Sequence, residues 1–296
     1  MTRDRTVIVN GDDFGLTPGI NAGILDAHRH GILTSASIFA SAPATAEAIA
    51  IAKRTPTLGV GCHLTLVDGE PLSPPSTIPT IVYAGRFRAT WGSLIADALR
   101  GRVSLVEIER ELTAQIERLV TSGVRLSHLD AHKHVHAYPP IFRIVVRLAR
   151  RFGIERVRVP WERPALTLAC RHAFDGKSRR QALENLALTW WALADMRAAA
   201  DAGLQVPRFF GRVLTGLFTP ASFVSLLAAL PPGTSEVMMH PGYVDASLDR
   251  VRTRLRAERA AEVSLLTSTA AWDAVARAGL TLVTHDPLSE PHSHAS

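Results

Sequence analysis

Four short segments carry residues whose types and spacing could do chemistry, and each closes an apolar run. The first is Val7-Ile8-Val9-Asn10-Gly11-Asp12-Asp13-Phe14-Gly15. Two adjacent carboxylates at the end of a buried strand repel each other, and a bound cation is the usual way to offset that repulsion. Neighbouring residues of a regular strand point to opposite faces, so both acids can serve one site only if the turn at Phe14-Gly15 relaxes the alternation. One Asp could then hold a metal while the other acts as a base; a helix N-cap is the plain alternative. The second segment, Gly59-Val60-Gly61-Cys62-His63-Leu64-Thr65-Leu66, sets His63 among apolar neighbours, where a hydrogen-bonded core imidazole is the commoner reading and a ligand the sharper one. Its glycines allow close backbone approach, and Cys62 reads as a small buried hydrophobe on the other face.

The third segment is His128-Leu129-Asp130-Ala131-His132-Lys133-His134-Val135-His136. Histidine at every second position of an extended chain puts successive imidazoles on one face, poor for packing but good for ligation or proton transfer. Asp130 could accept the second ring N–H of a ligating His. The fourth, Met238-Met239-His240-Pro241-Gly242, holds an imidazole at the end of an apolar strand just before a rigid turn. Arg158, ahead of Pro160, and Asp286, after His285, are further residues at strand ends.

The elements that must position these residues alternate. Strands are expected at Thr6–Asn10, Thr34–Ala40, Gly59–Leu66, Arg125–Asp130, Arg156–Val159, Arg208–Leu214, Glu236–Met239 and Leu280–Thr284. Helices are expected at Gly19–His30, Ala44–Arg54, Leu105–Gly123, Pro140–Phe152, Pro220–Leu230, Ala257–Thr267 and Ala270–Ala278. Near-continuous apolar strands alternating with helices argue for a parallel sheet covered by helices, an α/β fold. Eight strands in 296 residues favour a TIM-like (β/α) barrel with irregular closure, one domain spanning residues 1–296. Barrel active sites form at the C-terminal ends of strands, where all four segments end. Two stretches break the rhythm. Asp68 to Ala89 reads as a long ordered loop. Trp161 to Val206 reads as a helical insertion, either packing its own small core or forming an apolar lid with Trp190, Trp191, Leu186, Leu188 and Leu193.

Composition narrows the class. No apolar stretch approaches the roughly 20 residues needed to span a bilayer, and the N-terminus has no signal-peptide core, so a cytoplasmic protein is expected. Two cysteines, Cys62 and Cys170, give neither a disulfide framework nor a zinc-finger spacing. Of 33 basic residues all but Lys53, Lys133 and Lys177 are arginine, and the net charge is +6. That reflects either base composition of the genome or attraction to an anionic surface. No stacking aromatics interleave the basic runs, which argues against nucleic-acid binding.

Together the motifs at 10–15, 61–64, 128–136 and 240–242 resemble the YdjC-like carbohydrate deacetylases, in the same order, over most of the chain, and within them the hopanoid-biosynthesis-associated branch. Gly11 stands where that family usually has Ala. The resemblance implies a (β/α)-barrel hydrolase that removes acetyl groups from N-acetylated sugars with one divalent metal. It assigns Asp13, His63 and His132 as ligands, Asp12 as general base and His240 as general acid, acting as an imidazolium. Which of His132, His134 and His136 ligates is left open by the spacing; His132 is the first after the Asp. An Asp-His-His set leaves positions for water and substrate and suits zinc, with Ni, Co, Fe or Mg as alternatives. Arg158 would orient Asp12 and lower its pKa, or touch substrate with His134, His136, Trp190 and Trp191. In the hopanoid branch the substrate is an N-acetylglucosaminyl glycolipid, which brings the enzyme to the inner face of the membrane. A soluble chitobiose-type substrate, a non-catalytic glycan-binding barrel and a non-heme iron oxygenase are the alternatives. The expected partners are the sugar or glycolipid, a membrane touched peripherally, and a second copy of the chain in a homodimer.

Overall fold

The computed structural model describes residues 4–162, 186 and 188–286. Its strands are β1 (Arg5–Phe14), β2 (Ser35–Ile38), β3 (Gly59–Leu64), β4 (Val82–Tyr83), β5 (Arg86–Phe87), β6 (Leu126–Ala131), β7 (Arg156–Val157), β8 (Arg208–Phe210), β9 (Gly233–Met239) and β10 (Thr281–Leu282). The helices described are α1 (Pro18–Arg29), α2 (Thr45–Arg54), α3 (Trp91–Leu99), α4 (Leu105–Thr121), α5 (Pro139–Arg151), α6 (Thr189–Asp201), α7 (Pro220–Ala229), α8 (Ala257–Leu266) and α9 (Thr269–Arg277).

A curled parallel sheet runs in the order β7-β6-β3-β2-β1-β9-β8. β9 follows β1 along one side; on the other, β10 pairs with Thr6 and Val7 and β2 takes over from Asn10. A single parallel bridge, Arg156 with Gln205, joins β7 to the segment entering β8 and brings the two edges of the curl together. The architecture is an irregular (β/α) barrel, as the alternation of elements implies. All eight expected strands are present, with shifted ends. β1 is longer than its apolar run, and β8 and β10 are shorter.

Val7, Ile8 and Val9 of β1 are fully buried, each contributing about 1.5–3 kcal/mol of hydrophobic stabilisation. Their branched side chains suit a strand packed on both faces. Among the helices, α5 carries the clearest apolar stripe, with Ile141, Phe142, Ile144, Val145, Leu148 and Ala149 buried and Arg143, Arg147 and Arg151 turned outward. α1 begins at Pro18 and is capped by Thr17, whose hydroxyl accepts from the Ile20 amide. The N-cap is therefore not Asp12 or Asp13.

Three segments differ from the sequence reading. Asp68 to Ala89 contains the antiparallel hairpin β4–β5, turning through left-handed Ala84 and Gly85. α3 follows it, capped by Thr90. Residues 163–185 and 187 of the 161–206 insertion, Cys170 among them, lie outside the described residues; its described part includes α6, which buries Ala192 and Ala199. Cys62 is buried, as its pattern suggests.

Gly61 shows how tightly β3 approaches β6. A Cβ at this position would stand 2.4 Å from two ring atoms of His128. That ring cannot yield: it stacks on His285 at 3.7 Å between centroids and is held by Ser37 and Ser127 at 3.0 Å each. Gly61→Ala should therefore cost about 1–3 kcal/mol, read as a lower thermal midpoint by calorimetry. Gly92→Ala, where an added Cβ meets nothing within 4 Å, should leave the midpoint unlowered.

Candidate active site

Register assembles the site. β1 pairs Gly11 with Met239, so Asp12 and Asp13 leave the barrel beside His240. β3 pairs His63 with Asp130, and β6 pairs Leu129 with Val157, so His63, Asp130 and Arg158 form one row across three strands. The paired acids reach one site because β1 breaks its own alternation. Its register with β2 shifts between Gly11 and Phe14, and Asp13 sits at φ +70°. That left-handed twist, which Asp tolerates better than most residues, turns Asp12 and Asp13 toward the same cleft.

Arg158 is fully buried and is shared by three carboxylates. Its Nη1 and Nη2 donate to the two oxygens of Asp12 at 2.7 and 2.8 Å. Nη1 also lies 2.7 Å from Asp130 Oδ2, while Nε and Nη2 donate to Glu236 Oε1 at 2.8 and 2.5 Å. Arg158 thus orients Asp12 and does not reach the cleft. Burial pushes the Asp12 carboxyl above its usual pKa, and Arg158 only partly offsets this because Asp130 pushes the same way. Arg158 does lower it, as expected, but desolvation outweighs that pull. Asp130 goes the other way: burial opposes its charge, but Arg158 and His63 outweigh burial and hold it well below the carboxylate range. Glu236 is likewise buried, yet Arg158 and His285 pull it down to about 2.

Ionised Asp130 can only accept, so the 2.8 Å contact to His63 places the ring proton on Nδ1. His63 Nε2 is then turned toward Asp13 Oδ1, 3.7 Å away, and His132 Nδ1 is 3.3 Å from the same oxygen. Asp13 Oδ2 accepts from Arg259 at 2.5 Å, whereas the buried Oδ1 has no hydrogen-bond partner. Burial disfavours the Asp13 carboxylate, but Arg259 and His132 hold its pKa well below the usual value. Ligand atoms of Asp13, His63 and His132 all lie within 4.8 Å of one another. A second cluster, Asp12, His63 and Asp130, is equally compact, but every oxygen of those two acids already accepts from Arg158, Asn10, Ser37 or His63. An unpaired, ionised oxygen facing two imidazoles fits a divalent cation, and only the Asp13 set offers one.

The His-rich segment does not stay extended. β6 ends at Ala131, and His132–Ala137 coils into short 3-10 turns with Lys133 and His134 in left-handed conformation. Consequently the imidazoles do not share a face. His132 and His134 line the cleft, while His136 turns into the core and donates from Nε2 to the Arg158 carbonyl at 2.8 Å. His128 also packs inward, on His285. Neither Trp190 nor Trp191 lines the cleft: Trp190 is 82% exposed, and Trp191 packs edge-on against Tyr138. Asp286 sits away from it, paired with Arg125.

His240 lines the cleft beside Asp13. Its backbone amide donates to Glu262 at 2.5 Å, and its Nδ1 is buried with no partner. Burial, reinforced by Arg259, drops its pKa to about 3. The resting group is a neutral imidazole, which must gain a proton before it can act as the expected imidazolium. Sequence patterns missed Arg259, Glu262 and Glu236. The first two stand three residues apart on one face of α8, a spacing that could have marked them as a pair. Phe39 also went unnoticed; its ring is edge-on to both His63 and His132, 4.8 and 5.1 Å away. Asp12, Asp13, His63, His132, His240 and Arg259 line a cleft of about 1590 Å³.

The family model described as YdjC-like protein matches residues 6–277. A protein of Geobacillus stearothermophilus named carbohydrate deacetylase is 34% identical over 282 residues, 95% of this chain and 97% of its own length. A Klebsiella pneumoniae protein named chitooligosaccharide deacetylase is 34% identical over 284 residues, 95% and 98% of the two chains. Among solved structures, one from Enterococcus faecalis V583 superposes with a TM-score of 0.77 at 24% identity, covering 97% of this chain and all of that one; it shares the fold.

Glu262 gives this site a pH signature. Burial raises its pKa from 4.5 to about 7, against the opposing pull of the His240 amide and Arg259. A raised carboxyl contributes stability that is complete below about pH 4.5 and lost as pH rises through about 7. Relative to Glu262→Gln, the protein should therefore lose about 3 kcal/mol between these limits. Paired denaturant titrations across that range should show the difference narrowing or reversing toward alkaline pH, and parallel curves would refute it.

Proposed function

Because the chain belongs to the YdjC-like family, we propose that it is a metal-dependent hydrolase that removes the acetyl group from an N-acetylated sugar. The observation carrying this reading is the unpaired Asp13 Oδ1, ionised and facing His63 Nε2 and His132 Nδ1, next to an Asp12 that Arg158 holds in place. The names of the Geobacillus and Klebsiella relatives support the same activity.

Asp13, His63 and His132 would hold the cation, and this donor set suits zinc. When bound, the cation supplies a Lewis acid that acidifies water and polarises the acetamide carbonyl. Asp12 receives the proton of the attacking water. Both its oxygens are already fixed, so it needs no reorientation, and burial strengthens it as a base. Asp130 keeps His63 in the tautomer that leaves Nε2 free. His240, neutral at rest, lines the cleft, where it can take up a proton and pass it to the departing amine. The products are acetate and the free amino sugar.

We further propose that the sugar is the N-acetylglucosaminyl head of a hopanoid glycolipid, met at the inner face of the membrane. A cleft of about 1590 Å³ supports a substrate with bulk beyond one sugar ring, since drug-sized ligands fill roughly 300–1,000 Å³. The Klebsiella relative's name favours a second reading, a soluble chitooligosaccharide.

Acetate release from the glycolipid and from chitobiose-type sugars, with and without chelator, separates these readings. Chelation should abolish turnover and zinc should restore it. A chitobiose-type preference would favour the second reading, and chelator-resistant turnover would refute the cation. Asp12→Asn should lower kcat by a factor on the order of 10²–10⁴ while zinc affinity, measured by calorimetry, stays nearly unchanged. Asp13→Ala should lose both.

A further inference from the structure

The cleft mouth carries charge that the reaction does not use. The cations Arg86, Arg88 and Lys133 line it, and each is paired with a carboxylate: Glu70, Asp97 and Asp68 respectively. On a second segment, Arg250, Arg252 and Arg254 line the same cleft and are exposed. Among the described residues none of these three has a carboxylate within ion-pair distance. Their spacing is not accidental in space. Val251 packs partly against the core and Leu255 is buried, while the three arginines that alternate with this row are exposed. The β4–β5 hairpin lines the same cleft and presents Tyr83 at 82% exposure, with Trp91, also in the lining, at 38%.

A rim that combines unpaired arginines with exposed aromatics matches the chemistry of an anionic bilayer surface. The guanidinium groups meet phosphodiester head groups, and the aromatic rings settle at the head-group level. We infer that this rim docks the cleft onto an anionic membrane, with Arg250, Arg252 and Arg254 supplying the electrostatic attraction and Tyr83 and Trp91 the interfacial anchor. The site of contact is therefore the cleft mouth and not the Trp190-Trp191 helix. The inference concerns which way the cleft faces and holds whatever reaction occurs inside it.

Sedimentation of the full chain with vesicles tests it at physiological ionic strength. The protein should pellet with phosphatidylglycerol-containing vesicles and not with pure phosphatidylcholine. R250A/R252A/R254A should reduce the partition coefficient at least about tenfold, with an unchanged thermal midpoint. R125A/R147A/R151A removes the same charge from arginines paired with Asp286, Glu109 and Glu117, and it should bind almost as well as the parent. Y83S, at a fully solvated tip, is expected to weaken binding several-fold. Absence of binding to anionic vesicles, equal loss in both triple variants, or undiminished binding of the rim triple and Y83S would overturn the proposal. So would release by millimolar phosphate but not by chloride of equal ionic strength, which would assign the wall to a small anion.

Discussion

One guanidinium group, that of Arg158, is held by carboxylates from three different strands. Asp12 reaches it from β1, Asp130 from β6 and Glu236 from β9. Arg158 follows a strand of only two residues at the edge of the sheet, so these contacts tie that edge to the centre of the barrel through its interior. Burying such charges costs several kcal/mol per ion and is tolerable only when every donor is met. Here each guanidinium nitrogen has a carboxylate partner. The consequence spreads outward. Asp12 is held but still lines the cleft, Asp130 is fixed where His63 can donate to it, and Asp13 keeps an uncommitted oxygen beside two imidazoles.

Charge completes the division of labour. Four buried strand carboxylates, Asp12, Asp13, Asp130 and Glu236, face two buried arginines, Arg158 and Arg259, while the fifth buried acid of the site, Glu262, has its pKa raised to about 7. With all four ionised the interior carries an excess of two negative charges. A divalent cation held by Asp13, His63 and His132, as proposed above, would balance that excess. The α8 helix supplies the other half of the support: Arg259 grips Asp13, and three residues on Glu262 grips the backbone of His240. Asp13 and His240, on neighbouring strand ends, are thus both gripped from one helix.

The sequence revealed whatever was written in residue type. Apolar β-branched runs located the strands, and Asp12, Asp13, His63, His132 and His240 could be picked out because carboxylates and imidazoles are conspicuous at the ends of such runs. Geometry that residue type does not encode stayed hidden. Lysine has no preference for positive φ, so nothing in His132-Lys133-His134 announced that the chain coils there and scatters its imidazoles. Arg259 and Glu262 lie in a run of charged residues that reads as a solvated helix face, and only the packing of α8 beside α1, where they meet Asp13 and the His240 amide, buries them. Glu236 looked like the polar start of a strand, yet β9 begins three residues earlier and places it in the core. The short hairpin β4–β5 depends on a left-handed Ala-Gly turn that composition alone renders as loop.

The left-handed backbone of Asp13 has an evolutionary consequence. At φ +70° the position favours Gly, Asn and Asp over residues with bulkier or branched side chains. Asparagine fits the same backbone and can still face Arg259, but it removes the charge that attracts a cation. Aspartate and asparagine codons differ by one base. A single-base change could therefore turn a barrel of this design into a folded, metal-free sugar-binding protein, so the fold alone is a poor witness to whether any given relative is still an enzyme.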